Sequence, residues 1–469
     1  MRVLLIALPL VSSLFFWGAS LLGGKSLFTF AAVGLLSTSV VALPLLAQKR
    51  IDYFSPLMMI YYATAIGGGA RGILVATSGS ATFDSYTAGF DWADIVSNSI
   101  WSVVGLLCIG IGYLCSRYTK MSAIRIQFTE YKLSHFRVFV VFFLVNLASF
   151  FAASAYTKVM GVEFTDIYSV SNKRAVLLEN SNTYVSYGYL KLAGSLSGYL
   201  FIVLLSLAIF GLWSTRRWML WCALVPTFLL AVYVPFVSSS RIEIILLLLN
   251  GVIIFYYKNN RVIPIGPALS VCAVVVLISS GMGYLRYEAQ GKQSETQINP
   301  IETIVGSGNF VDVARTSIII EHVPDRMNFL YGSSLISWVF SPIPRAFWPQ
   351  KPDISLGPVV KSKVWGVNVR KNGFPPGVVA EGYLNFGYPG IVIVPFLFGW
   401  VLGSFYYSIA KRLGNSLPVT VLYSCVIWRA SFGAVGLNVS LGLLQVATSA
   451  ILAMLILRLV MTRERRRES

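Results

Sequence analysis

KLAGSLSGYLFIVLLSLAIFGLWSTRRWMLWCALVPTFLLAVYVPFV, residues 191–237, decides the fold. Two apolar runs, 191–213 and 218–237, flank the basic turn Thr215-Arg216-Arg217. Each run is about 20 residues long, which is what a helix needs to cross a hydrocarbon core ~30 Å thick. In lipid, a lone segment can satisfy its own backbone N–H and C=O groups only as a helix. The stretch therefore reads as two membrane spans joined on the cytoplasmic side, where basic residues collect.

Working outward, the same pattern recurs at 3–22, 27–47, 55–76, 95–115, 136–156, 242–257, 262–283, 390–410, 417–432 and 437–459, which makes about 12 spans in all. Arg2 before an apolar run ending in Gly18, Ala19 and Ser20 has the form of a cleaved leader. The second run follows almost at once, which favours a retained helix. With both termini cytoplasmic, the inside segments hold 19 of the 37 Lys and Arg but only four of the 19 Asp and Glu. The short inside loops Gln48-Lys49-Arg50, Lys258-Asn259-Asn260-Arg261 and Lys411-Arg412 are all basic. Parity of the spans and the charge count agree.

Composition supports this reading. Of 469 residues, 56% are apolar and 12% charged, with a mean hydropathy of +0.71. A soluble domain carries about 25% charged residues, so an ordinary soluble enzyme and a disordered chain are both excluded. Of the net charge of +18, +15 belongs to the inside segments. No basic run interleaves with aromatics on a soluble face, so nucleic acid is not an expected partner. The five cysteines all lie in apolar runs and the two histidines are far apart, so neither a disulfide framework nor a metal site is expected.

The expected organisation is all-α and polytopic. Residues 1–283 hold nine spans with outer loops at 77–94 and 157–190, residues 284–389 form one large outer loop, and 390–469 hold three spans and a basic tail. Within the large loop, 298–341 has helical amphipathic spacing. Residues 342–389 carry eight of the 19 prolines and read as ordered irregular loop. There is no internal repeat, which weakens a transporter reading. No phosphate-binding glycine loop is present and the inside loops are too short for a nucleotide domain, so no cofactor is expected.

Charged groups at membrane depth are candidate functional groups. Arg241 and Glu243 stand at the outer end of the eighth span, after Ser238-Ser239-Ser240. They suit either a phosphate and sugar hydroxyls or an arginine snorkelling to headgroups with Glu243 as its partner. Arg429 lies between the last two spans, as a functional cation or an interfacial anchor. In Ser341-Pro342-Ile343-Pro344-Arg345-Ala346-Phe347-Trp348-Pro349-Gln350-Lys351-Pro352, four prolines would hold Arg345, Trp348 and Lys351 at set positions. That composition suits a phosphosugar and equally a rigid turn on the membrane surface. Glu381 is a candidate base for a hydroxyl proton, or an acid near the positive end of a helix dipole. Tyr383 and Asn385 could orient a sugar. His322 is a second candidate base or a solvated cap. Asp84, Asp91 and Asp94 are not spaced as D-x-D.

The segments Pro344-Arg345 to Pro352 and Glu381 to Gly390, with the many spans and the late outer loop, resemble the O-antigen polymerase (Wzy-type) family of oligosaccharide repeat-unit polymerases. The resemblance implies a fold like the integral-membrane C-type glycosyltransferases, in the bacterial inner membrane with the large loop periplasmic. It implies undecaprenyl-pyrophosphate-linked glycans as substrates, the bilayer as partner, room for a chain-length regulator, and no metal. The reaction would move the growing glycan onto the non-reducing end of a new unit. Arg241, Arg345 and Arg429, with Arg370 and Lys351 in support, would face the pyrophosphate. Glu381 would be the base with His322 in reserve, and Trp348, Tyr383, Asn385 and Trp365 would bind sugar. An O-antigen ligase and a polysaccharide flippase are the competing expectations.

Overall fold

The computed structural model describes residues 1–24, 26–48, 50–79, 87, 89–118, 131–159, 188–212, 217–237, 240–262, 313–343, 347–348, 350–367 and 373–463, with isolated positions between 266 and 310. Among these, eight helices are long and apolar enough to cross a membrane: Arg2–Gly23, Ser26–Ala47, Trp92–Cys115, His135–Val159, Tyr189–Ile209, Trp218–Phe236, Gly377–Ile409 and Val439–Val460. Three more expected spans are helical but broken or more polar. Residues 56–78 run through a π-helix at Ala65–Ala70, Arg241–Lys258 carries charge at both ends, and Leu417–Trp428 passes into a second π-helix, Arg429–Gly433. The ninth expected span, 262–283, lies almost wholly outside the described residues. The chain is thus an all-helical integral membrane protein, apart from one short antiparallel pairing of Tyr131–Leu133 with Met461–Arg463.

Local chemistry sets the helix starts. Ser55 accepts from the N–H of Met58 at 3.4 Å, with Pro56 in the first helical position, where its missing donor costs nothing. Asp91 accepts from the N–H of Ala93 at 3.0 Å and opens Trp92–Cys115. The segment 342–389 is less irregular than its prolines suggest. It contains the helix Leu356–Val364 and the first turns of Gly377–Ile409. Pro358 sits in the first turn and Pro375-Pro376 directly precede Gly377, positions where proline does not break a helix.

The chain divides into two compact units. The first comprises Met1–Ile124, Ile304–Ala410 and Ile427–Val446. Its axis is the packing of Trp92–Cys115 along Gly377–Ile409. A Cβ on Gly112 would fall on the carbonyl of Phe396, and one on Gly399 on the carbonyl of Ile109. Small residues give this close approach where no hydrophobic effect drives helices together. Val313–His322 packs against the same helix and is buried from Val313 to Ile320.

The second unit comprises Arg125–Thr303, Lys411–Val426 and Ala447–Ser469. Its core is aliphatic, built on Leu200, Val203, Leu204 and Leu207 with Val421 and Ile456. Tyr199 donates to the Ser449 hydroxyl at 3.0 Å within that core.

Helical geometry fails inside Gly377–Ile409 at Phe386 (φ −139°, ψ 15°) and Gly387 (φ 64°, ψ −149°). Gly387 takes a backbone conformation that a side chain would oppose. The chain turns back there, because Gly382 and Gly390 meet backbone to backbone and the rings of Tyr383 and Tyr388 lie 5.3 Å apart. In one straight helix, residues eight apart would be separated by about 12 Å. Residues 377–385 therefore form a short half-helix lying beside the start of the span, 388–409.

Its depth can be read from the neighbouring helix. Tyr388 stacks near Trp101 at 4.6 Å, whereas Val379 packs where Gly105 sits, further along Trp92–Cys115. Gly105 is thirteen residues beyond Trp92, or about 20 Å at 1.5 Å per residue. The half-helix thus lies alongside the interior of an apolar helix long enough to cross a membrane, rather than beyond its end.

Candidate active site

Glu381 and Asn385 are four residues apart on the half-helix and so share one of its faces. Both are fully buried. Asn385 Nδ2 donates to the Glu381 carbonyl at 2.8 Å and to Ser334 Oγ at 2.7 Å, while its Oδ1 accepts from the N–H of Gly332 at 2.8 Å. The Ser334 hydroxyl donates to Glu381 Oε1 at 2.9 Å. Glu381 Oε2 accepts from the N–H of Val439 at 2.5 Å.

Val439 is the first residue of Val439–Val460, so this N–H is one of the four donors a helix start leaves unpaired. A carboxylate there also meets the positive end of the dipole. Just ahead, Ser440 Oγ donates to the Ser334 carbonyl, and Asn438 reaches Glu381 while its Nδ2 donates to the Ile354 carbonyl at 3.0 Å. Among the described residues no cation pairs with Glu381, and Asn438 Oδ1 is buried without a donor.

The centre is thus assembled from broken helices. The half-helix supplies Glu381 and Asn385, the outer loop supplies Ser334, and the interruption between Leu417–Trp428 and Val439–Val460 supplies Asn438 and the Val439 N–H. Non-helical backbone at membrane depth is tolerated only when buried in protein or lining a cavity, and discontinuous helices are where membrane proteins build substrate sites.

The other expected site residues are placed as follows. Tyr383 donates to the carbonyls of Ile320 and Val323, at 3.2 and 3.0 Å, and so ties the half-helix to the end of Val313–His322. His322 Nδ1 lies 3.0 Å from the Ile318 carbonyl. A carbonyl only accepts, so Nδ1 carries the proton and, in the neutral ring, Nε2 carries the lone pair. The ring lines a cavity of about 100 Å³ together with Phe90, Asp91, Asp94 and Glu321, at the start of Trp92–Cys115. Trp365 stands between Phe90 and Phe374, with ring centroids at 5.9 and 5.1 Å.

Lys351 is nearly buried and turns to its own loop, donating to the carbonyls of Ser341 and Ile343 at 3.1 and 2.8 Å. Trp348 packs edge-on to Phe340 at 5.4 Å. Arg429 is half-buried and opens the second π-helix, which packs on Pro56–Thr64. Glu243 pairs with Lys191 at 3.1 Å. Arg345, Arg370 and the side chain of Arg241 lie outside the described residues, as does Asp84.

Two groups escaped the sequence reading. Ser334, the hydroxyl on Glu381, is one serine among many, and nothing local marks it. Arg71, inside the apolar run 55–76, is the other. It is 1% exposed, follows the π-helix Ala65–Ala70, and donates from Nε and Nη2 to the Val305 carbonyl at 3.0 and 2.8 Å. An arginine within an apolar run after Gly67-Gly68-Gly69 was the available signal. Among the described residues no group of three His, Cys, Asp or Glu side chains is arranged to hold a metal ion.

Many apolar helices, a half-helix folded back on its own span and a buried polar centre define an integral membrane protein with a candidate site among its helices. The model of the O-antigen polysaccharide polymerase Wzy family matches residues 3–462, and the chain belongs to that family. Proteins named O-antigen polymerase from Salmonella typhimurium (strain LT2) and Salmonella typhi are each 25% identical to it over 176 residues. That stretch covers 36% of this chain and 40% of each relative, so the alignment spans less than half of either protein. No solved structure matches the chain.

Proposed function

We propose that the chain polymerises oligosaccharide repeat units carried on undecaprenyl pyrophosphate, at the periplasmic face of the bacterial inner membrane. The family membership gives the reaction class, and the buried centre around Glu381 is the observation that supports a site for it. The fold proposed with this reading is of the C-type glycosyltransferase kind, with both termini cytoplasmic. Catalysis without a metal or other cofactor belongs to the same proposal, and a chain-length regulator would act as a partner of the polymerase.

In the reaction, a hydroxyl at the non-reducing end of a new unit attacks the anomeric carbon of the growing glycan. A C–O bond forms to that hydroxyl, the bond to pyrophosphate breaks, and its electron pair leaves with undecaprenyl pyrophosphate. Glu381 is the proposed proton acceptor. The Ser334 hydroxyl now occupies Oε1 as a substrate hydroxyl would, and the buried Asn438 Oδ1 beside it is an acceptor without a donor. His322, at the cavity it lines, is the second proposed base. Developing charge on the pyrophosphate needs fixed cations. Arg241, Arg345 and Arg429 are proposed for that role, with Arg370 in support and Lys351 fixing the turn just before Arg345; Trp348 and Trp365 are the proposed sugar-binding rings, and Tyr383 and Asn385 act on the sugar by positioning the half-helix.

Deletion of the gene in its source organism, followed by a gel of the surface glycan, tests the reading. A single repeat unit in place of a ladder supports polymerisation. Loss of all glycan with polymer accumulating on the lipid carrier would show a ligase, and single units trapped inside would show a flippase.

A further inference from the structure

We propose that residues 331–343 of the outer loop form a lip inserted into the hydrocarbon of the outer leaflet, rather than a face in contact with water. This inference concerns the loop's partner and stands whether or not the chain transfers glycans.

Three observations carry it. The first is depth. Along the chain, the N–H of Leu330 donates to the Leu384 carbonyl at 2.8 Å, that of Gly332 to Asn385 Oδ1 at 2.8 Å, and the Ser334 hydroxyl to Glu381 at 2.9 Å. The loop thus descends beside the half-helix, from its upper end to its second turn. Val379, two residues before Glu381, packs where Gly105 lies, about 20 Å below Trp92 at 1.5 Å per residue. Ser334 is therefore roughly 15 Å below the outer end of that helix, within a hydrocarbon core about 30 Å thick.

The second is polarity. Ser333–Ile336 and Ser337–Phe340 are short helical turns in which Ser334 and Ser337 face in, at 3% and 1% exposure, while the exposed Ser333 hydroxyl is spent on the Leu330 carbonyl at 2.7 Å. Their apolar side chains face out, with Ile336 and Val339 both 55% exposed. A water-facing turn would show the reverse, whereas a turn in lipid turns its apolar face outward. The helical turns keep the backbone satisfied, and Lys351 holds the following carbonyls of Ser341 and Ile343.

The third is continuity. Gly332 lies against the Phe386 ring, and Phe386, Tyr388 and Ile393 continue the exposed apolar surface onto the membrane span 388–409. Phospholipid acyl chains cover that span, so they are the occupant the lip meets.

The test uses the full-length protein in vesicles of phosphatidylethanolamine and phosphatidylglycerol. Spin labels are placed one at a time at Ile336 and Val339, with Val401 as a lipid-facing reference and Asp325 as a water-facing one. Collision with oxygen and with a water-soluble nickel complex is then measured. The proposal expects positions 336 and 339 to match 401, with oxygen favoured over nickel. A match to 325 overturns it. Low collision with both reagents, with dipolar coupling between labels, would show a second copy on the surface and also overturns it. If labelling disturbs folding, a benzophenone amino acid at Val339 in the otherwise unaltered chain decides the matter. Photo-adducts with phospholipid support the lip, and adducts with protein alone refute it.

Discussion

Replacing Glu381 with Gln changes one oxygen to an amide nitrogen at nearly constant shape. The Gln carbonyl can keep the Val439 N–H, and its amide can donate to Ser334 Oγ, which also accepts from Asn385. Two hydrogen bonds to a charged group, about 1.5–3 kcal/mol each, become neutral ones of about 0.5–1.5. The loss of about 2–3 kcal/mol is opposed by removing a buried charge, whose desolvation costs several kcal/mol. Net stability should therefore move by no more than about 2 kcal/mol in either direction. General-base catalysis contributes about 10²–10⁴ in rate, or roughly 3–5 kcal/mol of barrier. The Gln variant is thus expected to insert and melt like the parent while the glycan ladder collapses to single units. Glu381→Ala strands the Val439 N–H and the Ser334 hydroxyl, each costing about 1–3 kcal/mol, and should lower thermal stability as well. The assay is a surface-glycan gel beside a melting curve of purified protein. A normal ladder from the Gln variant refutes the base assignment. A Gln variant as unstable as the Ala variant refutes the argument from shape and makes Glu381 a brace between broken helices.

Other outcomes follow from the same geometry. Gly112→Val drives a side chain into the Phe396 carbonyl and should abolish the monodisperse peak in size-exclusion chromatography, while Gly110→Ala, which meets the Pro44 ring at 3.1 Å and the Val40 carbonyl at 3.9 Å, should retain it. Arg429→Lys and Arg241→Lys keep charge but lose the planar fork, so both should lose polymerisation if they hold pyrophosphate. Ladder retention in both would assign them to membrane anchoring. Arg71→Ala removes both described donors from the buried Val305 carbonyl and should lower the melting temperature, with Arg71→Lys intermediate. Treatment of the purified enzyme with a chelator should leave activity intact, and loss restored by a divalent ion would overturn the metal-free mechanism.

The membrane spans were legible because lipid makes span length and apolarity local properties of the sequence. Residues 191–213 and 218–237 would read the same in any context, and helices lie at both. The half-helix was not legible in that way. Residues 377–409 are helical on either side of Phe386–Gly387, and the reversal depends on a meeting of Gly382 with Gly390 that no window of hydropathy records. Three of the eight prolines that suggested irregular loop, Pro358 and Pro375-Pro376, instead mark helix starts. Glu381, Asn385 and Tyr383 could be named from residue type alone, but their roles come from partners distant in sequence. Ser334 is 47 residues from Glu381, and Val439 is 58 away. Arg71 shows the opposite failure. Its chemistry was visible, since an arginine in an apolar run is costly unless occupied. The carbonyl it serves, that of Val305, is 234 residues away and no local pattern names it. A polar centre inside a membrane protein is therefore assembled from residues whose cost is local and whose partners are not. Sequence can identify the expensive groups, and only the fold reveals that a carboxylate on a folded-back half-helix closes the start of a helix elsewhere in the chain.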